Sequence, residues 1–268
     1  MGDRAEAESA VERVDLRVAA WKVLRAAAGG IADMVLPPLC AACRAPVSRH
    51  GGVCASCWSG IDFIGQPLCD RLGIPLSYPV EGPLVSAAAM ADPPVYGRAR
   101  AVARYDGVMR DLVHGLKYRD RQEGVEMFTR WLANAGGELI GEADVIVPVP
   151  LYRLRLWTRR FNQSALLGRQ LARMVGLPFE PLALQRTRRT ASQVGLTADQ
   201  RRRNVAGAFA VPQARRAAVE GRNVLLIDDV ITTGATAEAC TRALLKAGAV
   251  RVDVLALARV TDPLLPRI

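Results

Sequence analysis

The chain has 268 residues, half of them apolar and 23% charged, with 36 Lys and Arg against 26 Asp and Glu. That composition excludes a disordered tail, a collagen-like repeat and a disulfide-dense miniprotein, and the length suits one large domain with a small appendage. No run of about 18 uncharged apolar residues predicts a membrane span, and the mixed-charge start MGDRAEAESAVER lacks the pattern of a secretory signal, so the expected location is the cytoplasm.

From Val11 to Val35, apolar positions recur at helical spacing with Arg13, Arg17, Lys22 and Arg25 between them, ending before Pro37 and Pro38. This predicts an amphipathic helix within residues 1–36. Glu12 and Asp15 dilute its basic stripe, so packing on its own protein is expected over membrane-surface binding.

Residues 37–77 carry Cys40-x2-Cys43 and Cys54-x2-Cys57. Two such knuckles converge four thiolates, the ligand set of a tetrahedral, closed Zn site. Redox chemistry is the competing reading of a CxxC pair, but neither pair sits in the strand-and-helix setting that chemistry uses. With four protein ligands no position is open to water, so the metal holds structure. Pro46, Gly51, Gly52 and Pro67, with few long apolar runs, would not build a core unaided. Cys69 stands apart, because a further CxxC would need Cys where Leu72 stands, so a second metal site lacks ligands. The stretch from Tyr78 to Pro94, rich in Pro and Ala, predicts a linker over residues 78–97.

From residue 98 to 262, short β-like runs alternate with helical ones. Ala101–Tyr105 predicts a strand, and Met109, Leu112, Val113 and Leu116 a helix. Val145–Val149, Val224–Ile227 and Val252–Ala258 are further strands. The helix marked by Leu167, Leu171, Met174 and Val175 closes at Gly176, and another around Cys240 stops at Gly248. Leu177–Leu184 is a short apolar candidate for a hood strand. Alternation of this kind implies an α/β fold with a parallel sheet, whose ligand sites lie at the carboxyl ends of strands. Cys240, with Ala237, Leu244 and Ala247 on its face, reads as core, and His114 receives no role.

The charge excess is confined to one segment. Residues 151–203 hold twelve Arg and no Lys against Glu180 and Asp199. Guanidinium forks match phosphate oxygens, so phosphate, pyrophosphate and a nucleic-acid backbone are the candidate anions. After Ile227 the chain reads Asp228-Asp229-Val230-Ile231-Thr232-Thr233-Gly234-Ala235-Thr236 and enters a helix. Buried carboxylates at a strand end require a cationic or hydrogen-bonding partner. A Gly- and Thr-rich turn into a helix N-terminus is an anion cradle.

The run from Val224 to Thr236 resembles the phosphoribosyl pyrophosphate (PRPP) signature of type I phosphoribosyltransferases. The blocks VPVPL from Val147, RRFNQ from Arg159, RTRRTASQVGL from Arg186 and RRRNVAGAF from Arg201, with the zinc module, narrow the resemblance to the ComF family over roughly Leu36 to Val260. Leu72 departs from that family's pattern, where many members carry another Cys. The resemblance implies that Asp228 and Asp229 meet the ribose hydroxyls of PRPP. It implies that Thr232, Thr233, Gly234, Ala235 and Thr236 hold the 5′-phosphate, and that Pro150, Leu151, Tyr152 and Arg153 form the pyrophosphate loop. Mg²⁺ would accompany PRPP, structural Zn would fill the cysteine site, and the stretch Arg186–Arg203 would act as a flap. The implied role is passage of single-stranded DNA in natural transformation. The implied partners are single-stranded DNA and the competence helicase or other DNA-uptake proteins, met at the inner face of the membrane. An active (amido)phosphoribosyltransferase and a PRPP-responsive regulator of nucleotide metabolism are the alternatives.

Overall fold

The computed structural model describes residues 37–76, 84–118, 124–151, 161–188 and 197–261. The expected helix within residues 1–36 lies outside the described residues, as do Tyr152, Arg153 and residues 189–196 of the Arg-rich stretch. Two short helices come first, α1 (Ala55–Ser59) and α2 (Ala87–Ala91), the latter inside the stretch expected as a linker. They are followed by β1 (Ala99–Arg104), α3 (Gly107–Tyr118), α4 (Val125–Ala135), α5 (Gly137–Gly141), β2 (Val145–Pro148) and α6 (Gln163–Val175). The chain continues through β3 (Gln185–Arg186), α7 (Ala198–Val205), β4 (Phe209–Ala210), β5 (Asn223–Ile231), α8 (Ala235–Lys246) and β6 (Arg251–Arg259).

Strands β1, β6, β5 and β2 lie side by side in that order, and every pairing is parallel. Their near-continuous apolar runs follow from burial on both faces, the rule for parallel sheets. Alternation along β5 decides which face each residue serves. Leu225 and Ile227 join a core with Phe128, Leu132, Leu167 and Leu171 from α4 and α6. Val224 and Leu226 join the opposite core with Val205, Phe209, Cys240 and Leu244. Cys240 is therefore packing, as its helical face implies.

Both sheet edges are covered, which removes free pairing groups that would otherwise recruit another strand. At β1, Phe63 bridges antiparallel to Ala103. The Ile64 N–H donates to Val102 O at 2.9 Å, and the Arg104 N–H donates to Asp62 O at 2.9 Å. Trp58, Phe63 and Trp131 stack edge-on or tilted, with centroids 4.9 to 5.7 Å apart, so the cysteine module is cemented to α4 by aromatic area. At β2, Phe179 bridges in parallel to Ile146, so part of the 177–184 stretch extends the sheet edge.

Candidate functional site

Strand β5 runs past the apolar stretch legible in sequence and carries Asp228 and Asp229 to the carboxyl edge of the sheet. Asp228 is buried, and its Oδ1 accepts from the Asp229 N–H at 2.8 Å and from the Ser164 hydroxyl at 3.3 Å. Burial raises its carboxyl from the usual range to about 7, and the neighbouring Asp229 charge pushes the same way. Asp229 meets a cation, since Lys117 Nζ at the end of α3 lies 2.9 Å from its Oδ2. Both side chains are less than a fifth exposed, so solvent screens this pair only partly.

Replacing Lys117 with Met leaves the mostly buried Asp229 without its counter-charge. The expected cost at pH 8 lies between the roughly 1 kcal/mol of an exposed pair and the roughly 3–5 kcal/mol of a fully buried one. It shrinks at pH 5, where Asp228 takes up a proton and the carboxylates cease to repel. Thermal unfolding of the variant and the parent at both pH values checks this; no loss at pH 8 would count against charge pairing, and an equal loss at each pH would show that the Asp228 charge plays no part in it.

The turn after β5 follows from one backbone requirement. Gly234 caps α8 at φ 81°, a left-handed conformation that a side chain resists. Behind it sits the fully buried Tyr96, whose hydroxyl would lie 3.5 Å from a β-carbon at Gly234. The Tyr96 phenol is pushed up by burial, opposed by the Arg259 guanidinium at the end of β6. Thr233 Oγ1 is buried and has no hydrogen-bond partner among the described residues. The first N–H groups of α8 have no intrahelical acceptors by the geometry of any helix. A donor-rich turn with an unmet hydroxyl is what an anion cradle requires.

A third wall comes from α6. Asn162 caps it, accepting from the Ala165 N–H at 3.4 Å while its Nδ2 donates to Val149 O at 3.0 Å, which ties the helix start to the end of β2. Pro150 and Leu151 continue from that strand end. Gln163 is fully buried, and neither amide atom has a hydrogen-bond partner among the described residues. Lys117, Ser164, Gln163, Tyr96 and Arg259 were not singled out by the sequence. Only Gln163 lies in a family-like block, RRFNQ, while Lys117 offers no signal except its place on a helical face.

In the basic segment, Arg186 lies over the Phe209 ring with its guanidinium carbon 5.4 Å from the centroid. The Arg188 guanidinium donates to Asn204 O and Ala206 O at 3.1 and 3.0 Å, tying the end of β3, which pairs antiparallel with β4, to the end of α7. Between α7 and α8 runs a groove of about 570 Å³, rimmed by Arg202, Arg203, Arg242 and Lys246 and floored in part by Phe209 and Ala239. Arg202 pairs with Asp92, and Arg242 pairs with Glu238 at 2.7 Å. Among the described residues, neither Arg203 nor Lys246 is ion-paired.

The four expected metal ligands converge. The Sγ atoms of Cys40, Cys43, Cys54 and Cys57 all lie within 4.8 Å of one another, the only such cluster of His, Cys, Asp and Glu among the described residues. Burial alone would raise the Cys40 thiol, but N–H groups of Cys54, Cys43 and Ala42 outweigh it and bring it down to about 6. The Cys57 thiol is pushed up by burial and by the other three sulfurs. This donor set fits Zn²⁺, which would hold all four as thiolates and supply the cross-link.

The family described as "Double zinc ribbon domain" matches residues 31–89, and the family described as "Phosphoribosyl transferase domain" matches residues 162–266. The DNA utilization protein YhgH of Escherichia coli is 34% identical over 235 residues, covering 84% of this chain and 99% of its own length. Competence protein F of Haemophilus influenzae is 29% identical over 226 residues, 82% of this chain and 96% of its own. Competence protein ComFC of Bacillus subtilis is 27% identical over 199 residues, 73% of this chain and 79% of its own. The fold expected from the sequence is thus present, a phosphoribosyltransferase sheet with a four-cysteine zinc module before it.

Proposed function

The chain belongs to the family of the DNA utilization protein YhgH and competence protein F, and from that premise we propose that it binds PRPP with Mg²⁺ and acts in the uptake and use of single-stranded DNA. The observation that carries the PRPP reading is the buried Asp228 and its partly buried neighbour Asp229 set beside the turn at Gly234, with Thr233 Oγ1 unmet among the described residues. In this reading the carboxylates accept from the two ribose hydroxyls. The turn from Thr232 to Thr236 donates to the 5′-phosphate, Pro150 and Leu151 lie on the pyrophosphate side, and the family resemblance gives the same role to Tyr152 and Arg153. Bound Mg²⁺ would neutralise pyrophosphate charge while keeping several waters. Lys117 holds Asp229 in place until the hydroxyls arrive. Calorimetric titration of Mg-PRPP into the zinc-loaded protein tests the reading. Binding is expected in the parent and not in the Asp228→Ala/Asp229→Ala double variant, and equal affinity in both would refute it.

The DNA half of the reading is supported by the relatives' names and by the groove between α7 and α8. Its apolar floor and cationic rim match the bases and phosphates of a single strand. Alanine at both Arg203 and Lys246 is expected to lower the slope of log affinity against log salt by about one per lost phosphate contact. Fluorescence anisotropy with a labelled oligodeoxythymidine across a salt series measures it. An unchanged slope would place the strand elsewhere.

A further inference from the structure

Around Cys69 the backbone repeats the geometry around Cys40. Leu39 bridges to Pro46, and Leu68 bridges to Pro75 in the same sense. The Cys40 N–H donates to Ala45 O at 2.8 Å, and the Cys69 N–H to Ile74 O at 2.8 Å. Val47 donates to Pro38 O at 3.0 Å, and Leu76 to Pro67 O at 2.9 Å. Each knuckle turns through a positive φ, 69° at Arg44 and 63° at Gly73.

The match continues into the second knuckle. The Cys54 N–H donates to Cys40 Sγ at 3.3 Å, and the Ser86 N–H to Cys69 Sγ at 3.3 Å. Cys54 caps α1 by accepting from the Cys57 N–H at 3.4 Å, and Ser86 caps α2 by accepting from the Ala89 N–H at 3.3 Å. The Ala41 N–H donates to Gly52 O at 2.9 Å, and the Asp70 N–H to Leu84 O at 2.7 Å. Positions 40, 43, 54 and 57 of the first lobe therefore correspond to Cys69, Leu72, Ser86 and Ala89 in the second.

We infer that residues 67–76 and 84–91 form a second ribbon in which side-chain packing has taken the place of the metal, so that the chain holds one zinc ion although its family is a double ribbon. Leu72 and Ala89 have no ligand atom, and a neutral serine hydroxyl is a poor substitute for thiolate. What fills the centre is apolar, with buried Cys69, Leu76 and Ala89 packed by Leu72, Ile74 and Leu84. The Ser86 hydroxyl closes on Cys69 Sγ at 3.2 Å.

Metal independence suits the place this lobe occupies. Arg71 Nη2 donates to Pro94 O at 2.8 Å and to Tyr96 O at 2.9 Å, and the Ala99 N–H donates to Arg71 O at 3.0 Å. Gly73 approaches β1 so closely that a β-carbon would sit 2.1 Å from Ala99 O. The lobe is thus bonded to the segment that sets Tyr96 behind Gly234. A joint there that needs no metal keeps the turn in shape whatever the zinc supply.

Elemental mass spectrometry of the full chain, purified from zinc-supplemented culture, tests the inference. One equivalent is expected in the parent and in Cys69→Ser, and a second equivalent appears in Leu72→Cys/Ser86→Cys/Ala89→Cys, which restores the ligand set. Two equivalents in the parent, or a folded triple variant that gains none, overturns the assignment. Hydrogen exchange on the parent after zinc is stripped by a chelator stands without any variant. Amides of residues 69–76 and 84–91 keep their protection while those of 39–60 lose it, and loss of both lobes together overturns the inference.

Discussion

Cys43→Ser is expected to abolish zinc retention and unfold residues 39–60 while the parallel sheet stays folded. Apparent binding energies of structural zinc in small modules run to about 10–16 kcal/mol at neutral pH, and that energy is folding energy for a lobe that lacks a core. The first ribbon buries only Cys40, Cys57 and Ile61 among its apolar side chains, too little area to replace a lost ligand. The buried members of the two sheet cores are other residues, Ile61 apart, and Ala41, Ala42 and Val53 of the ribbon only pack against the outside of one of them, so neither core depends on the metal directly. Zinc analysis with hydrogen exchange resolves the outcome. Strands β5 and β6 should remain protected while the ribbon amides exchange freely. A soluble variant with full zinc content and unchanged protection would contradict the ligand assignment.

Asp228→Asn is expected to move stability and ligand binding in opposite directions. The carboxyl is raised from 3.8 to about 7 by burial and then by Asp229, so the folded state binds the proton more tightly than the unfolded state. For a raised carboxyl the sign is fixed. Its favourable contribution is complete below the unfolded value near 3.8 and is lost as pH climbs through about 7. At pH 8 the ionised group therefore destabilises the ligand-free protein, by roughly 2–4 kcal/mol from the size of the shift. An amide of the same shape can still accept from the Asp229 N–H and the Ser164 hydroxyl, so Asn should raise the melting temperature at pH 8 and change it little at pH 4. Binding of Mg-PRPP should weaken, because an amide oxygen is a poorer acceptor for ribose hydroxyls than a carboxylate. In the parent, affinity should rise with pH through about 7, since binding favours the ionised form. A variant less stable than the parent at pH 8, or a pH-independent parent affinity, would show that Asp228 does not store this energy.

Stability stored against the fold in this way is common at ligand sites, because groups arranged for a ligand are poorly satisfied without it. The unmet atoms of Thr233 and Gln163 belong to the same pattern. All three residues lie at the carboxyl ends of β5 and β2 or at the start of the helix that follows, where parallel sheets gather ligand-binding groups.

Whatever depends on residues close along the chain was legible without coordinates. The CxxC spacing brought four sulfurs together, and the apolar runs placed the four sheet strands. The passage from Ile227 through Gly234 specified carboxylates at a strand end followed by a left-handed cap, since both are local in origin. What meets those groups depends on contacts between segments far apart in the chain. Lys117 reaches Asp229 from a helix more than a hundred residues upstream, Tyr96 backs Gly234 from the segment before β1, and Ser164 bonds Asp228 from the helix after β2. The second ribbon was hidden for a related reason. Three of its four metal positions have lost their cysteines, so no residue spacing marks it, and only backbone hydrogen bonds at matching places reveal it. Local backbone preference is written within a few residues, whereas charge pairing and packing depend on distances in space, which chain order does not encode.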